Sequence, residues 1–238
     1  MSKAVDTSQL PDLSHVRSIH ILGICGTAMG TFAGMLVAKG YEVTGSDAGV
    51  YPPMSTQLEA LGIELMDGYK PENIDHDPDL VIVGNVIRRD NVEAQAVREK
   101  GLVHTSFPRA LGALFLEGKH PVVLAGTHGK TTTTSIIAAL LDAAGMDPTV
   151  INGGIINSWG SNARLGTGDW MVAEADESDG TFLKLPTTVA VVTNIDPEHM
   201  EHYGSFDKLR DAFDSFVENI PFYGFAALCV DHPEVQAM

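Results

Sequence analysis

Cysteine is scarce in this sequence: only Cys25 and Cys229 occur among its 238 residues. Two cysteines so far apart have neither the spacing of a zinc site nor that of a disulfide framework. Such sparing use of cysteine is typical of a reducing compartment, so we expect a cytoplasmic protein.

Long apolar segments are missing as well. No apolar run reaches the roughly 20 residues that a membrane-spanning helix needs. Residues 1–17 also lack the apolar core of a signal peptide, and we expect them to be a flexible leader. The sequence therefore predicts neither a membrane span nor a secretion signal.

Positive charge is in short supply. The chain has 15 Lys and Arg against 31 Asp and Glu, a formal net charge of -16. Nucleic acids and anionic membranes attract proteins through a positive field, so we expect neither as a partner. Any phosphate must then be bound locally, by main-chain amides, helix amino termini, one or two cations and Mg²⁺.

Short apolar runs alternate with helical patterns along the rest of the chain. The first series starts at SIHILGI and ends near LEGKHP, and a second series runs from PVVLAG to AALCVDH. This β–α order with short connections indicates parallel, doubly wound sheets. We predict an α/β chain with a Rossmann-like domain at residues 18–118. An incomplete, P-loop ATPase-like α/β domain is predicted at residues 119–238.

The first predicted strand leads into a loop with the sequence ILGICGTAMG, here called the first glycine loop (residues 23–30). Its glycines do not have the G-x-G-x-x-G spacing, because Cys25 stands where the second glycine belongs. Asp47 ends the next strand, near the offset at which an acidic side chain binds a ribose hydroxyl. We interpret the loop as a diphosphate site, with close helix–strand packing as the alternative. The sequence of this loop does not distinguish an NAD site from a nucleotide-sugar site.

A second glycine loop (residues 126–131) lies within LAGTHGKTTTT, between a strand and a helix. Leu124 replaces the first glycine of a Walker A motif, but Gly126, Gly129, Lys130 and Thr131 remain. The glycines let main-chain amides face phosphate oxygens, the lysine supplies positive charge, and the threonine hydroxyl can bind Mg²⁺. A plain strand-to-helix turn has no need of a Lys-Thr pair, so a triphosphate site is favoured.

Carboxylates and histidines follow two later strands. WMVAEADESDG supplies Glu174, Asp176, Glu177 and Asp179, whose crowding costs repulsion unless a cation or hydrogen-bond donors offset it. Acidic metal ligands are therefore expected here, with a solvated acidic loop as the alternative. VVTNIDPEHMEHY adds His199, a candidate for metal binding or proton transfer.

Together these motifs resemble the Mur ligases, the ATP-dependent amide-forming enzymes of peptidoglycan synthesis. GTHGKTTTT, EADESDGTFL, VVTNIDPEHMEHY and IPFYG carry the resemblance, which covers residues 18–238. The central part resembles ligases that join L-alanine to UDP-N-acetylmuramate. The front, with ILGICGTAMG and GNVIRRDN, resembles ligases that join the same sugar nucleotide to the tripeptide L-alanyl-γ-D-glutamyl-meso-diaminopimelate.

The resemblance implies a mechanism that uses ATP and Mg²⁺. ATP phosphorylates the lactyl carboxylate of UDP-N-acetylmuramate, and the amine of L-alanine or of the murein tripeptide attacks the acyl phosphate. Lys130, Glu174 and His199 are then the catalytic residues. By the same resemblance, Thr131 and Glu174 bind one Mg²⁺, and Glu174 with His199 binds a second.

The resemblance also implies two sets of binding residues. ATP is expected on the second glycine loop, at Gly126, Thr127, His128, Gly129, Lys130, Thr131 and Thr132. UDP-N-acetylmuramate is expected at Gly23, Cys25, Gly26, Thr27, Ser46, Asp47, Asn85, Arg88, Asn152 and Asn162. For the segment around Asn152, the alternative is a simple turn at Gly153 and Gly154.

Mur ligases also carry a third domain, which binds the amino acid. The resemblance found in this sequence does not include that domain. We therefore expect the 238 residues to bind UDP-N-acetylmuramate, to bind ATP weakly and not to catalyse ligation at a useful rate. Two other classes stay open at this point. One is a non-catalytic nucleotide-sugar-binding module, and the other is an NAD-dependent oxidoreductase, which leaves the second glycine loop unexplained.

Overall fold

The computed structural model describes residues 13–116, 118–178 and 180–238. These residues form two compact units, one ending at Leu114 and the other beginning at Phe115. Most of the predicted leader and Asp179 lie outside the described residues. Each unit is built on its own, mainly parallel sheet, which confirms the predicted α/β class.

In the first unit, strands and helices alternate along the described chain. The strands are β1 (Ser18–Leu22), β2 (Glu42–Asp47), β3 (Glu64–Asp67), β4 (Leu80–Val83) and β5 (His104–Ser106). The α-helices are α1 (Thr27–Ala38), α2 (Met54–Ala60), α3 (Val92–Glu99) and α4 (Phe107–Leu111), the last followed by a π-helical turn (Gly112–Leu116). Short 3₁₀ turns occur at Leu13–His15 and Pro71–Ile74.

The first sheet has the strand order β3-β2-β1-β4-β5, and all its pairs are parallel. The order reverses beside β1, and open α/β sheets bind ligands where such a reversal occurs. Leu22, near the end of β1, pairs with Ser46 on one side and with Val83 on the other. The first glycine loop therefore emerges level with the ends of β2 and β4.

Helix α1 illustrates how the sequence sets these elements. It starts directly after Gly26, and it ends just before Gly40, whose φ of 94° is the left-handed conformation that stops helices. On its inner face Phe32 and Leu36 are fully buried. Their burial against the sheet explains why this segment is held as a helix although its apolar residues are spread around much of its surface.

The second unit contains the remaining elements. The strands are β6 (His120–Ala125), β7 (Thr149–Ile156), β8 (Ser161–Arg164), β9 (Trp170–Glu174), β10 (Val189–Val192) and β11 (Phe225–Leu228). The α-helices are α5 (Lys130–Ala143), α6 (Met200–Tyr203), α7 (Phe206–Glu218) and α8 (Pro233–Gln236), with a 3₁₀ turn at Thr181–Lys184.

The second sheet has the order β11-β10-β6-β9-β7-β8, in which β7 and β8 are antiparallel and the other pairs are parallel. β6 lies between β10 and β9, with Ala125 paired to Val192 and Leu124 paired to Glu174. Carboxyl ends of parallel strands meet at one edge of a sheet. The second glycine loop therefore opens between the ends of β9 and β10.

Some elements differ from the prediction. β7 contains Gly153 and Gly154, so the turn given as the alternative for this segment does not form. β7 pairs with the edge strand β8, which was not predicted. Helix α7 was also not predicted, although Phe213 and Phe216 on its buried face contact Phe182 with ring centroids 5.2 and 5.3 Å apart. In the part of the chain that the structure describes, every helix is too short or too polar to cross a bilayer.

Candidate functional site

The second glycine loop depends on glycine at two positions. Gly126 has φ of 138° and Gly129 has φ of 81°, values that other residues rarely adopt. A Cβ atom at Gly126 would lie 2.1 Å from Oγ1 of Thr193. Gly129 precedes the first turn of α5, and no side chain caps that helix. The uncapped amides of a helix amino terminus favour an anion.

The end of β10 fixes the conformation of the loop. Asn194 binds the main chain of His128 twice: its Oδ1 accepts from the amide at 2.7 Å, and its Nδ2 donates to the carbonyl at 2.9 Å. Thr193 donates to the same carbonyl at 2.7 Å. Oγ1 of Thr127 accepts a hydrogen bond from the amide of Asp196 at 2.8 Å. The side chain of Thr127, which was predicted to bind ATP, thus stabilises the loop in this structure.

Lys130 is the first residue of α5, and its side chain folds back over the loop. Nζ donates to the carbonyl of Gly126 at 2.6 Å and lies 2.8 Å from Oε2 of Glu177. The side chains of Lys130 and Glu177 are 14% and 2% exposed. A buried carboxylate therefore neutralises the lysine that was predicted to meet phosphate. The sequence motif gave no indication of this pairing.

Thr131 connects the loop to β9. Its hydroxyl donates to Oε1 of Glu174 at 3.0 Å, and Oε2 of Glu174 accepts from the amide of Gly153 at 2.7 Å. A Cβ atom at Gly153 would lie 2.7 Å from the same carboxylate oxygen. Glycine at that place in β7 therefore allows the carboxylate to approach the main chain. The structure therefore brings Thr131 and Glu174 into contact, and Lys130 precedes Thr131 at the start of α5.

His199 lies near two carboxylates. It begins helix α6 with φ of 57°, and its ring nitrogens lie 4.0 Å from Oε1 of Glu177 and 3.7 Å from Oε1 of Glu201. Among the described residues, the carboxylates within 4.0 Å of its ring nitrogens are therefore those of Glu201 and Glu177 and not that of Glu174. The binding of a second metal ion by Glu174 with His199 therefore stays a prediction.

The Thr131–Glu174 pair suits one Mg²⁺ ion. A hydroxyl and a carboxylate are hard oxygen donors, and Mg²⁺ takes its other ligands from water and phosphate. No group of three His, Cys, Asp or Glu side chains within the described residues is arranged to hold a metal. The donors present thus fit an ion that is held jointly with a phosphate ligand, and not a site built by the protein alone.

A cavity of about 570 Å³ adjoins the second glycine loop. His128, Gly129 and Thr133 line one side, and the ends of β10 and β11 line the other with apolar residues that include Val191 and Leu228. The combination of exposed amides, a lysine and an adjacent apolar wall matches a ligand with one anionic end and one apolar end.

The first glycine loop also has an ordered backbone. Gly23 has φ of 82°, and its amide donates to the carbonyl of Ser46 at 2.8 Å. Oδ2 of Asp47 accepts from the amide of Cys25 at 2.8 Å. Gly26 and Thr27 are exposed at the start of α1. The side chain of Asp47 therefore binds the main chain of the first glycine loop. It does so from the end of β2, where the sequence analysis expected an acidic side chain to bind a ribose hydroxyl.

Ser46 requires a correction. Its side chain is fully buried, and its hydroxyl donates to Oε1 of Glu93 at 2.8 Å, so it supports the loop and does not face solvent. Glu93 is also fully buried, 2.8 Å from Nε2 of His20, and its Oε2 accepts from Asn73 at 2.7 Å. Burial alone would raise the pKa of Glu93, but hydrogen bonds from His20, Ser46 and Asn73 lower it below its ordinary value.

Two further groups near Asp47 have raised pKa values. Burial, followed by the charges of Asp47 and Asp67, raises the pKa of the Cys25 thiol to about 11. Burial and the charge of Asp47 raise the pKa of Tyr69 to about 12. At neutral pH the Cys25 thiol is therefore protonated, which is the less nucleophilic form.

The other predicted UDP-sugar residues fall into two groups. Asn85 and Arg88 are exposed in the loop after β4, in which Val86 and Ile87 pack over Gly23. Asn152 needs a correction, because it is buried and its Nδ2 donates to Oγ of Ser135 at 2.9 Å. Asn162 is half-buried in β8.

Comparison with known proteins shows which family the chain resembles. Residues 18–118 match the family described as Mur ligase family, catalytic domain, and residues 124–238 match the Mur ligase middle domain. A solved ligase from Neisseria meningitides is 33% identical with a TM-score of 0.86, over 93% of this chain and 74% of that one. The chain belongs to the Mur ligase family. The oxidoreductase alternative is left without support.

The named relatives include ligases for both amines, L-alanine and the tripeptide. The Neisseria structure is a UDP-N-acetylmuramate:L-alanyl-gamma-D-glutamyl-meso-diaminopimelate ligase. UDP-N-acetylmuramate–L-alanine ligases of Xanthobacter autotrophicus and Hyphomonas neptunium are each 56% identical, over 94% and 92% of this chain and 47% and 46% of theirs. A UDP-N-acetylmuramate-alanine ligase structure from Thermotoga maritima is 32% identical with a TM-score of 0.76, over 87% of this chain and 48% of that one. The chain spans about half the length of the curated relatives it matches.

Proposed function

We propose that this chain forms the UDP-sugar-binding and ATP-binding parts of a cytoplasmic ligase of peptidoglycan synthesis. The ligase joins L-alanine to the lactyl carboxylate of UDP-N-acetylmuramate at the expense of ATP. One observation carries the proposal: helix α5, which begins at Lys130 after the glycine loop, is joined to the end of β9 by the hydrogen bond from Thr131 to Glu174. The order of strand, glycine turn and helix amino terminus, with a Lys-Thr pair at the start of the helix, is that of P-loop polyphosphate sites.

The reaction balances with these substrates alone. The lactyl carboxylate attacks the γ-phosphorus of ATP, and ADP leaves. The amine of L-alanine then attacks the acyl carbon, and the tetrahedral intermediate expels inorganic phosphate and loses a proton to form the amide. Such transfers require positioning and charge neutralisation more than covalent help from the protein.

Each residue of the second glycine loop has a proposed role in that chemistry. The amides of residues 126–132 and the ammonium of Lys130 hold the β- and γ-phosphates. Thr131 and Glu174 would hold Mg²⁺, which neutralises charge on the phosphates when bound. His199 is proposed as a ligand of a second ion through Nδ1, the ring nitrogen that does not face Glu177. The adjoining cavity is proposed to take the nucleoside end of ATP.

The sugar nucleotide is assigned to the first unit. The amides of the first glycine loop and the amino terminus of α1 are proposed to bind the diphosphate. Asp47, Asn85 and Arg88 surround the loop at the ends of β2 and β4 and are proposed to bind the nucleoside and diphosphate. Support comes from the reversal of strand order at this place, where α/β sheets bind nucleotides.

L-alanine is favoured over the murein tripeptide as the amine. The curated relatives that match at 54–56% identity over at least 92% of the chain, the first unit included, are named L-alanine ligases. The solved structures do not separate the two amines, because the tripeptide ligase matches at 33% and the alanine ligase at 32%. The tripeptide therefore stays as the second candidate.

An acceptor assay tests the proposal. The product of the complete reading frame that encodes this chain is incubated with UDP-N-acetylmuramate, ATP and Mg²⁺, and with either L-alanine or the tripeptide. We expect release of phosphate that depends on L-alanine, and a kcat/KM for the tripeptide lower by about a hundredfold or more. Preference for the tripeptide would reverse the acceptor assignment. UDP-sugar binding without phosphate release from either amine would indicate a non-catalytic binding module.

A further inference from the structure

The ammonium of Lys130 has no donor left for a ligand in this structure. An ammonium group carries three N–H donors. They are directed to the carbonyl of Gly126 at 2.6 Å, the carbonyl of Thr127 at 3.4 Å and the carboxylate of Glu177 at 2.8 and 3.1 Å. A phosphate that enters the second glycine loop must therefore displace at least one of these partners.

Glu177 is held in place for this contact by its own main chain. Its carbonyl accepts hydrogen bonds from the hydroxyl of Tyr203 and from the amide of Gly180, the latter at 3.2 Å. The side chain is 2% exposed, so its charge must be neutralised by neighbouring groups. Oε2 is buried and takes no well-aligned hydrogen bond from the described residues, although it lies close to Nζ of Lys130.

A second partner for Glu177 is already near. Nε2 of His199 lies 4.0 Å from Oε1, beyond hydrogen-bond distance but within reach of a small side-chain rotation. Losing Lys130 without a replacement would leave an uncompensated buried carboxylate, which is strongly destabilising. Among the described residues, His199 is the further group with a nitrogen within 4.0 Å of this carboxylate.

We propose that Glu177 is a positioning residue that holds Lys130 folded onto its own loop until a phosphate takes the lysine, and that then pairs with His199. The inference rests on the proposed phosphate site of the second glycine loop. It adds that phosphate binding and the position of His199 are coupled through one buried carboxylate. His199 is thereby oriented only when a phosphate is present.

Inorganic triphosphate in the presence of EDTA is the probe, because it removes the nucleoside and the metal from the measurement. Its dissociation constant is measured by calorimetry for the 238-residue chain and for three variants. Glu177→Gln removes the competing charge, Glu177→Asp keeps the charge but shortens its reach, and Glu218→Gln removes a charge from an exposed position on α7.

We expect Glu177→Gln to bind triphosphate about tenfold more tightly than the wild type, in the range of couplings between contacting charges. Glu177→Asp should gain part of this increase, and Glu218→Gln should stay within about twofold. A gain in affinity cannot arise from damage to the fold. Unchanged or weaker binding by Glu177→Gln would overturn the inference. An unchanged Glu177→Asp beside a tighter Glu177→Gln would also overturn it, because the long-range field alone would then explain the gain.

His199→Ala tests the second half of the inference. It should weaken triphosphate binding in the wild-type background, because Glu177 loses its receiving partner, and should have no effect in the Glu177→Gln background. Equal effects in both backgrounds would contradict the exchange of partners. Failure of all variants and of the wild type to bind either triphosphate or ATP would instead refute the phosphate site itself, and with it the ATP part of the proposed function.

Discussion

The hydroxyl of Thr131 donates a hydrogen bond to Oε1 of Glu174 at 3.0 Å, which joins the first turn of α5 to the end of β9. The two residues are 43 positions apart in the sequence. They meet because β6 and β9 are parallel neighbours and Leu124 pairs with Glu174. The contact places a hydroxyl and a carboxylate, both hard oxygen donors, beside a helix amino terminus.

Removing either oxygen donor should reduce the contribution of Mg²⁺ to ATP binding. Glu174→Gln and Thr131→Val are each expected to lower the ratio of the affinities in Mg²⁺ and in EDTA by about tenfold, a typical loss for a disturbed metal site. Thr131→Ser keeps the hydroxyl and should retain most of the ratio. Calorimetry with ATP under both conditions measures it. A normal ratio in Glu174→Gln would exclude this carboxylate as a metal ligand.

The two glycines of the second loop should differ in their tolerance of alanine. At Gly129 a Cβ atom meets nothing within 4 Å, so alanine carries only the strain of a left-handed φ, about 1–2 kcal/mol. At Gly126 it would also collide with Thr193. Gly126→Ala should therefore lower the free energy of unfolding more than Gly129→Ala and should disrupt phosphate binding. Denaturant unfolding of both variants measures the two free energies of unfolding. Equal losses of stability in the two variants would contradict the prediction.

The buried Glu93 should stabilise the first unit in a pH-dependent way. Its pKa is lowered from an ordinary value of 4.5, so its stabilisation is present above that pH and is lost as pH falls through the folded-state pKa. Glu93→Gln should cost about 2–4 kcal/mol at neutral pH, as expected when a buried charged network loses a partner. The variant should also lose less stability on acidification than the wild type.

Urea unfolding between about pH 3 and pH 7 measures this dependence. Glu99→Gln, an exposed change on the same helix α3, is the matched control and should stay within about 0.5 kcal/mol of the wild type. If Glu93→Gln were as stable as this control, the buried network would not support the first glycine loop in the way its hydrogen bonds indicate.

The two cysteines should react at very different rates. The pKa of Cys25 is raised to about 11 by burial and by Asp47 and Asp67, while Cys229 is exposed. Because the thiolate is the reactive form, iodoacetamide at about pH 8 should label Cys229 first, with Cys25 slower by tenfold or more. Mass spectrometry of the digested protein measures both rates. Comparable labelling would show that the Cys25 thiol is neither buried nor surrounded by carboxylates.

Local patterns in the sequence predicted most of the fold. Strands such as β4 are short apolar runs next to turn residues, and α5 follows a glycine turn, so both are visible in the chain itself. The edge strand β8 was missed because Ser161–Arg164 has no apolar alternation and becomes a strand by pairing with β7. For Gly153 a turn was the alternative, whereas the residue lies in β7, where the carboxylate of Glu174 accepts from its amide.

The site was predicted only as far as its motifs reach. Lys130, Thr131 and Glu174 stand in recognisable patterns, and of these Thr131 and Glu174 are in contact in the structure. The partners that set their environment were not predictable, because they come from distant segments. Glu177 meets Lys130 from 47 positions away, and Glu93 meets His20 from 73 positions away. Such pairings depend on strand order and side-chain rotamers, which no local pattern encodes.

Calorimetry with Lys130→Ala tests the central claim most directly. The variant and the wild type are titrated separately with ATP·Mg²⁺, whose wild-type binding we expect to be weak but measurable, and with UDP-N-acetylmuramate. The account predicts that Lys130→Ala loses ATP binding while its affinity for UDP-N-acetylmuramate stays within about threefold, under 1 kcal/mol. Equal loss of both ligands, or undiminished binding of ATP, would contradict the assignment of the terminal phosphates to this lysine.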